Sequence, residues 1–186
     1  MLHNFLDIKN RDEFRKWLFC HASTEEECFL ILKRGKPVDP NVFYYLDAVE
    51  EALCFGWIDS ISKKNDGITY QRFSPRKKGS PWSELNKERV RRLEKLGLMT
   101  PLGRKVLPKM SYKIDKELED ALKEVRCYSK FKSFPSLYQR VRAYNVTFYK
   151  KIDKNTYQKA LDHLISETKK GNMFGEWNDY GRLLDY

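Results

Sequence analysis

The sequence predicts an α+β protein, with a small antiparallel sheet of about three strands flanked by helices and followed by a helical C-terminal half. Three observations lead to this prediction. Short runs with strand character lie in the first half, the turn signal Asn65-Asp66-Gly67 joins two of them into a hairpin, and from Asp115 onward the pattern is helical only. We therefore expect an α+β core over residues 1–110 and a helical extension over residues 111–186 that packs on the core.

The elements before the hairpin follow from apolar spacing and from helix start and stop signals. Residues 11–21 predict a helix, and the apolar run of residues 27–33 predicts a strand. Asp39, as a cap, and Pro40, at the first helical position, predict that the next helix begins there and runs to about Phe55. Gly56 then suits the left-handed conformation that follows a helix end.

Two strands and two helices complete the predicted core. Residues 57–61 and 69–74 read as the two strands of the hairpin, and residues 76–79 form a basic loop after them. Ser80-Pro81 is expected to cap the next helix, and Thr100-Pro101 is expected to begin another short one.

The C-terminal half contains three predicted helices and an aromatic tail. Asp115 caps the first helix, and the others cover about residues 136–150 and 155–170, the last ending at Gly171. The tail, residues 174–186, is rich in aromatic residues and glycine. We expect it either to pack back onto the body of the protein or to contact a partner.

The positive charge of the chain is concentrated in one segment. The net charge is +10, and residues 63–109 contain 14 basic and 4 acidic residues. The remainder contains 22 basic and 22 acidic residues, so the whole excess lies in this central segment. A localised positive field attracts phosphates and nucleic acid, although charge runs commonly form no more than a solvated face.

Other motifs mainly exclude classes of function. The four cysteines lack paired spacing, which predicts free thiols in a reducing cytoplasm and no metal site. There is no glycine-rich phosphate loop, no dinucleotide fingerprint and no nucleophile elbow, so we predict no cofactor and no catalytic residue. We also expect no membrane insertion and a cytoplasmic location, because no long apolar run and no secretory signal occur.

A first group of candidate ligand-binding residues lies on the hairpin and just after it. Trp57 and Asp59 share one face of their strand, and Arg72 lies on the return strand. If Asp59 lies near Arg72, the two side chains line a small pocket with Trp57 and Trp82 as apolar walls. The alternative is a structural ion pair on the sheet.

A second group of candidates surrounds the basic loop. Arg76, Lys77 and Lys78 precede the predicted helix start, where backbone amides and the helix dipole favour a phosphate. Tyr70 and Phe73 lie close enough along the chain to stack on a base. Lys63 and Lys64 would widen this basic patch, and the alternative is a solvated basic turn.

The central stretch also resembles a known family. Residues 48–60 (AVEEALCFGWIDS), 71–78 (QRFSPRKK) and 82–84 (WSE) carry the resemblance, which is to the YdeI/OmpD-associated family, also called bacteriocin-protection proteins. It extends over residues 27–106. The resemblance implies a small cytoplasmic α+β protein with a role in stress or bacteriocin protection and no agreed biochemical activity.

The sequence therefore supports one main functional hypothesis and two alternatives. The main hypothesis is a cytoplasmic protein that binds an anionic ligand, such as phosphate or nucleic acid, through its basic central segment. The first alternative is an enzyme with a pocket near Trp57, Asp59 and Arg72. The second is a protein-interaction module that uses the aromatic tail.

Overall fold

The structure is a computed structural model that describes residues 4–65 and 67–186, without the side chain of Asn65. It confirms the predicted α+β class, with one three-stranded antiparallel sheet and a helical C-terminal half in the described residues. The chain divides into two compact units. The first contains the described residues up to Pro81, with Arg89–Pro108 and Tyr186, and the second contains Trp82–Glu88 and Lys109–Asp185.

In chain order, the elements are α1 (Arg11–His21), β1 (Cys28–Leu30), α2 (Tyr45–Cys54), β2 (Trp57–Asn65), β3 (Ile68–Pro75), α3 (Glu84–Lys95), α4 (Pro101–Lys105), α5 (Lys116–Glu124), α6 (Tyr128–Lys132), α7 (Ser136–Phe148) and α8 (Lys154–Lys170). A 3-10 helix, Tyr149–Lys151, follows α7 directly. The short helix α6 was not predicted from the sequence.

The sheet has the strand order β1-β3-β2, so the predicted hairpin forms and the early strand joins it. Strand β1 pairs Phe29 with Arg72, and β2 pairs Asp59 with Phe73. A bulge between Asp59 and Ser62 shifts the register of β2. The helices α1 and α2 lie on the face that carries Phe73, whose ring contacts Phe14 of α1 at 5.7 Å.

The predicted start of α2 at Asp39 is wrong, because the helix begins at Tyr45. Asp39 instead forms a local turn, in which its side chain accepts a hydrogen bond from the Asn41 amide at 2.9 Å. Tyr44 makes a parallel bridge with Lys33, which holds this part of the backbone extended. A competing long-range backbone contact therefore overrides the local helix signal.

Two glycines allow a close approach between α2 and α4. Gly56 follows α2 with φ +76°, as the sequence predicts. In α4, a Cβ atom on Gly103 would lie 2.2 Å from the carbonyl oxygen of Cys54, so only glycine fits there. Thr100 caps α4 through the Gly103 amide and also donates its hydroxyl to the Cys54 carbonyl at 2.6 Å.

The predicted cap of α3 at Ser80 is also wrong. The helix begins at Glu84, and the Ser83 hydroxyl accepts a hydrogen bond from the Asn86 amide at 3.1 Å. Ser80 instead ends a tight turn, in which its amide donates to the Lys77 carbonyl at 3.0 Å. The same type of capping residue thus occurs three positions later than expected.

The second unit has its own core, built from α5 to α8. Tyr138 of α7 is fully buried and makes edge-to-face ring contacts with Phe134 and with Phe174 and Trp177 of the tail. Leu183, also in the tail, is buried in a small apolar cluster of this unit. The aromatic tail therefore packs into its own unit, which was one of its two expected roles.

Candidate functional site

The hairpin distributes the predicted site residues over two opposite faces of the sheet. Directly paired residues share a face, so Asp59 lies on the side of Phe73. Arg72, the neighbour of Phe73 along β3, lies on the other side. The structure therefore does not bring Asp59 and Arg72 together, because the side-chain alternation of β3 separates them.

The face of the sheet that carries Phe73 and is covered by α1 and α2 is the inner face, and the opposite face is the outer face. Two of the aromatic candidates, Trp57 and Phe73, lie on the inner face and belong to the core. Trp57 is 1% exposed, and its indole nitrogen donates to the Ala22 carbonyl at 3.1 Å. Phe73 is completely buried against Phe14. Neither ring presents a face to solvent, so these two candidates stabilise the fold of the first unit rather than line an open pocket.

Asp59 takes part in a polar cluster at the edge of the inner face. Its carboxylate accepts a hydrogen bond from the Tyr45 hydroxyl at 2.5 Å. The Arg34 guanidinium lies 3.8 Å from the centroid of the Tyr45 ring and donates to Gln71 at 2.7 Å. Burial, and next the Asp59 charge, raise the pKa of Tyr45 to about 12. The hydroxyl therefore stays protonated and remains a donor to Asp59 at neutral pH.

The outer face of the sheet carries Arg72 within a set of hydrogen bonds. Its guanidinium donates to the Glu27 carboxylate at 2.5 Å and to the hydroxyls of Ser60 and Ser74 at 3.0 and 3.3 Å. The Arg72 side chain remains 29% exposed. It is thus held in place at the surface, with part of its charge balanced by Glu27.

Aromatic and cationic side chains surround Arg72 on this face. Tyr70 lies two residues before it and is half-buried, with its ring 5.4 Å from the ring of Phe5 and perpendicular to it. Lys63 pairs with Tyr70 across the hairpin and places its ammonium 4.9 Å from the centroid of Phe29. Sequence reasoning missed Phe5, because only the bridge between Phe5 and Phe29 brings this remote residue to the sheet.

The basic loop after β3 is only partly available to a ligand. Arg76 is 7% exposed and donates to the Pro81 carbonyl at 3.1 Å, whereas Lys77 and Lys78 are exposed. The helix start expected beside this loop lies farther along the chain, at Glu84. The predicted combination of three cations with a helix N-terminus is therefore reduced to two exposed lysines. Trp82, half-buried, belongs to the second unit.

Ion pairs with acidic side chains neutralise part of the positive charge of residues 63–109. Arg92 pairs with Glu50 at 2.9 Å, and Arg104 pairs with Glu94 at 2.8 Å. On the hairpin and the loop that follows it, four exposed lysines form no ion pair with the described residues: Lys63, Lys64, Lys77 and Lys78. We call these four lysines together with Arg72 the cationic surface.

Two buried carboxylates of α2 form ion pairs with three arginines of the first unit. Glu50 and Glu51 of α2 are 0% and 1% exposed. Arg11 donates to Glu50 at 2.9 Å and to Glu51 at 2.5 Å, and Arg15 donates to Glu51 at 2.7 Å. Burial by itself would lower the pKa of Arg11, but the two carboxylates outweigh it and raise that pKa. With Arg92, these residues form a charge network that links α1, α2 and the part of α3 that belongs to the first unit.

Each unit also contains a cavity of its own. A groove of about 450 Å³ in the first unit is lined by Asp12, Arg15, Lys16, Phe19, Phe55 and Thr100. A cavity of about 240 Å³ in the second unit is lined by residues that include Glu84, Tyr112 and Tyr144. None of the helices within residues 4–65 and 67–186 has the continuous apolar length that a bilayer span requires.

The fold and surface define a small α+β protein with an open three-stranded sheet and a separate helical unit. The chain belongs to the family described as Domain of unknown function (DUF8412), whose model matches residues 6–106. This match covers slightly more than half of the chain, and its description carries no activity. Comparison with curated proteins and comparison with solved structures found no match. The resemblance to the YdeI/OmpD-associated family stays a prediction.

Proposed function

We propose that the first unit binds a polyanion through its cationic surface. The observation that supports this proposal is the set of four exposed lysines that no acidic side chain neutralises in the described residues. They lie on the hairpin and on the loop that follows it, at the two ends of β3. Lysines in this state release condensed counterions from a polyanion when they bind its phosphates.

The arrangement favours an extended polyanion over a single phosphate. A buried phosphate site needs converging donors, and here Arg76 donates to a backbone carbonyl and no helix begins beside the loop. The lysines instead occur in two separate pairs, Lys63 with Lys64 and Lys77 with Lys78. A ligand with many charges contacts both pairs, whereas a single phosphate contacts one.

The resemblance to the YdeI/OmpD-associated family adds a biological setting to this proposal. We propose that polyanion binding serves protection from stress in the cytoplasm. The enzyme alternative has less support, because Trp57 is in the core and Asp59 and Arg72 lie on opposite faces. The tail module also has less support, since Phe174 and Trp177 contact the buried Tyr138 ring.

The test is a salt titration of binding to a fluorescent RNA oligonucleotide. In separate variants, Lys63 and Lys64, or Lys77 and Lys78, are changed to glutamine. The control is Lys154→Gln with Lys159→Gln, two exposed lysines of α8 that give the same change in net charge. Each cationic-surface pair should lower the affinity and make the slope of log K against log salt shallower by about 1.4.

The control variant should keep the slope of the unmodified protein, because its lysines lie on a different unit. The proposal fails if RNA does not bind even at about 50 mM salt. It also fails if the control pair weakens binding as much as the two test pairs, since net charge alone would then explain the attraction.

A further inference from the structure

The outer face of the sheet combines two residues of the cationic surface, Lys63 and Arg72, with aromatic rings. Tyr70 and Arg72 alternate on β3 with Phe73, so both lie on the outer face while Phe73 is in the core. Phe5, which is 40% exposed, contacts Tyr70 edge to face at 5.4 Å. A perpendicular ring contact occupies at most one of the four ring faces. The contact therefore leaves ring faces for a flat ligand.

The two cationic side chains of the outer face lie next to the Tyr70 ring. Lys63 is the direct cross-strand neighbour of Tyr70, and Arg72 is the next residue on the same face of β3. Successive same-face positions of a strand are about 7 Å apart. A ligand in contact with Tyr70 is therefore within reach of two positive charges.

Only some polyanions match both features. Polyphosphate and heparin supply charge without aromatic rings. Duplex nucleic acid supplies bases, but they are stacked on one another inside the helix and expose no face. A single strand exposes both phosphates and unpaired bases, and stacking of a base on an aromatic side chain tolerates any sequence.

We propose that the polyanion is single-stranded nucleic acid, with unpaired bases stacked on Tyr70 and Phe5 while the lysines of the cationic surface contact the phosphates. This inference rests on the proposed function and assigns the class of ligand to the same surface. Arg72 donates hydrogen bonds to Glu27, Ser60 and Ser74, so its planar guanidinium is already ordered before single-stranded nucleic acid binds. That order reduces the entropy lost on binding.

The experiment compares three probes on the full chain: a single strand of about twelve nucleotides, the corresponding duplex, and polyphosphate of similar charge. The single strand should bind more tightly than either of the others. Tyr70→Leu should weaken single-strand binding by about 5- to about 150-fold and leave polyphosphate binding unchanged. Phe5→Leu should have the same selective effect. Tyr149→Leu, a half-exposed tyrosine of the second unit, is the matched control and should change neither.

A second measurement reports stacking directly. A 2-aminopurine base in the single strand should lose fluorescence on binding to the unmodified protein and keep it on binding to the Tyr70→Leu variant. The circular dichroism spectrum and Tm of each variant verify that it is folded.

The outcomes separate the two proposals. If RNA and polyphosphate both fail to bind, polyanion binding itself is refuted. If polyphosphate and duplex bind as tightly as the single strand, or Tyr70→Leu binds the strand normally, the polyanion proposal stands and the stacking inference is overturned.

Discussion

The buried carboxylate of Glu50 gives the sharpest prediction about stability. It is completely buried, and its two oxygens accept hydrogen bonds from different arginines, Arg11 and Arg92, each at 2.9 Å. These bonds connect α2 to α1 and to α3. Replacing Glu50 by glutamine preserves the shape of the side chain and removes its charge. One of the two arginines then faces an amide group that donates rather than accepts.

The size of the effect follows from the geometry. At an effective dielectric constant of about 20, two charges 2.9 Å apart attract by about 6 kcal/mol. Most of this attraction offsets the cost of removing the charges from water. Arg11 keeps its ion pair with Glu51, whereas Arg92 loses the carboxylate it pairs with, and loss of one partner of a buried pair costs about 3–5 kcal/mol. For a chain of this length, we expect Tm to fall by about 10 °C.

The assay is equilibrium unfolding in urea, with hydrogen exchange of the α1 and α2 amides to localise the loss to the first unit. The control is Glu94→Gln, which removes a carboxylate from the exposed pair with Arg104 and should change stability little. A Glu50→Gln variant about as stable as the Glu94→Gln control would refute the reasoning. The network would then be a set of contacts whose desolvation cost equals their attraction.

Two further predictions concern titration of single groups. Burial alone would raise the pKa of Asp115, but hydrogen bonds from Lys150 and the Leu118 amide outweigh it and lower that pKa below its ordinary value of 3.8. The stability that ionised Asp115 supplies is present above pH 3.8 and is lost as pH falls through the lowered pKa. Urea unfolding should therefore show that Asp115→Asn lowers the free energy of unfolding at neutral pH and lowers it less in acid. An equal loss at neutral and acidic pH would contradict this prediction. Burial, and next the Glu51 charge, raise the pKa of Cys54 to about 12. At about pH 8, iodoacetamide should therefore modify the exposed Cys20 and leave Cys54 unmodified, as measured by peptide mass spectrometry. Comparable rates of modification of the two cysteines would contradict this prediction.

Sequence patterns predicted the elements whose signals are local. The hairpin, the early strand and the caps at Thr100 and Asp115 depend on residues close together in the chain, and all of them form. The starts of α2 and α3 were wrong for a related reason. Asp39 and Ser80 are good capping residues that form turns instead, and for Asp39 the distant Lys33–Tyr44 bridge holds the backbone extended before Tyr45.

The candidate site was harder to predict because its parts are distant in sequence. The alternation of β3 placed Tyr70 and Arg72 together on one face, but it could not indicate that Phe73 would be covered by α1. The pairing of Phe5 with Phe29 depends on a bridge between segments more than twenty residues apart, for which the sequence has no signal. The burial of Glu50 and Glu51 was not predicted either, because two adjacent acidic residues on a helix usually face solvent.

Ion pairs and burial also reduce the number of positive charges in residues 63–109 that are available to a polyanion. By charge count, residues 63–109 carry a net charge of +10, which would predict a slope of about −7 for log K against log salt on a single strand. However, Arg92 is neutralised inside the protein, Arg76 is buried, and Arg104 pairs with Glu94. The four lysines of the cationic surface by themselves predict a slope of about −3. The measured slope therefore decides between a diffuse field of the whole segment and a small surface on the hairpin and its loop.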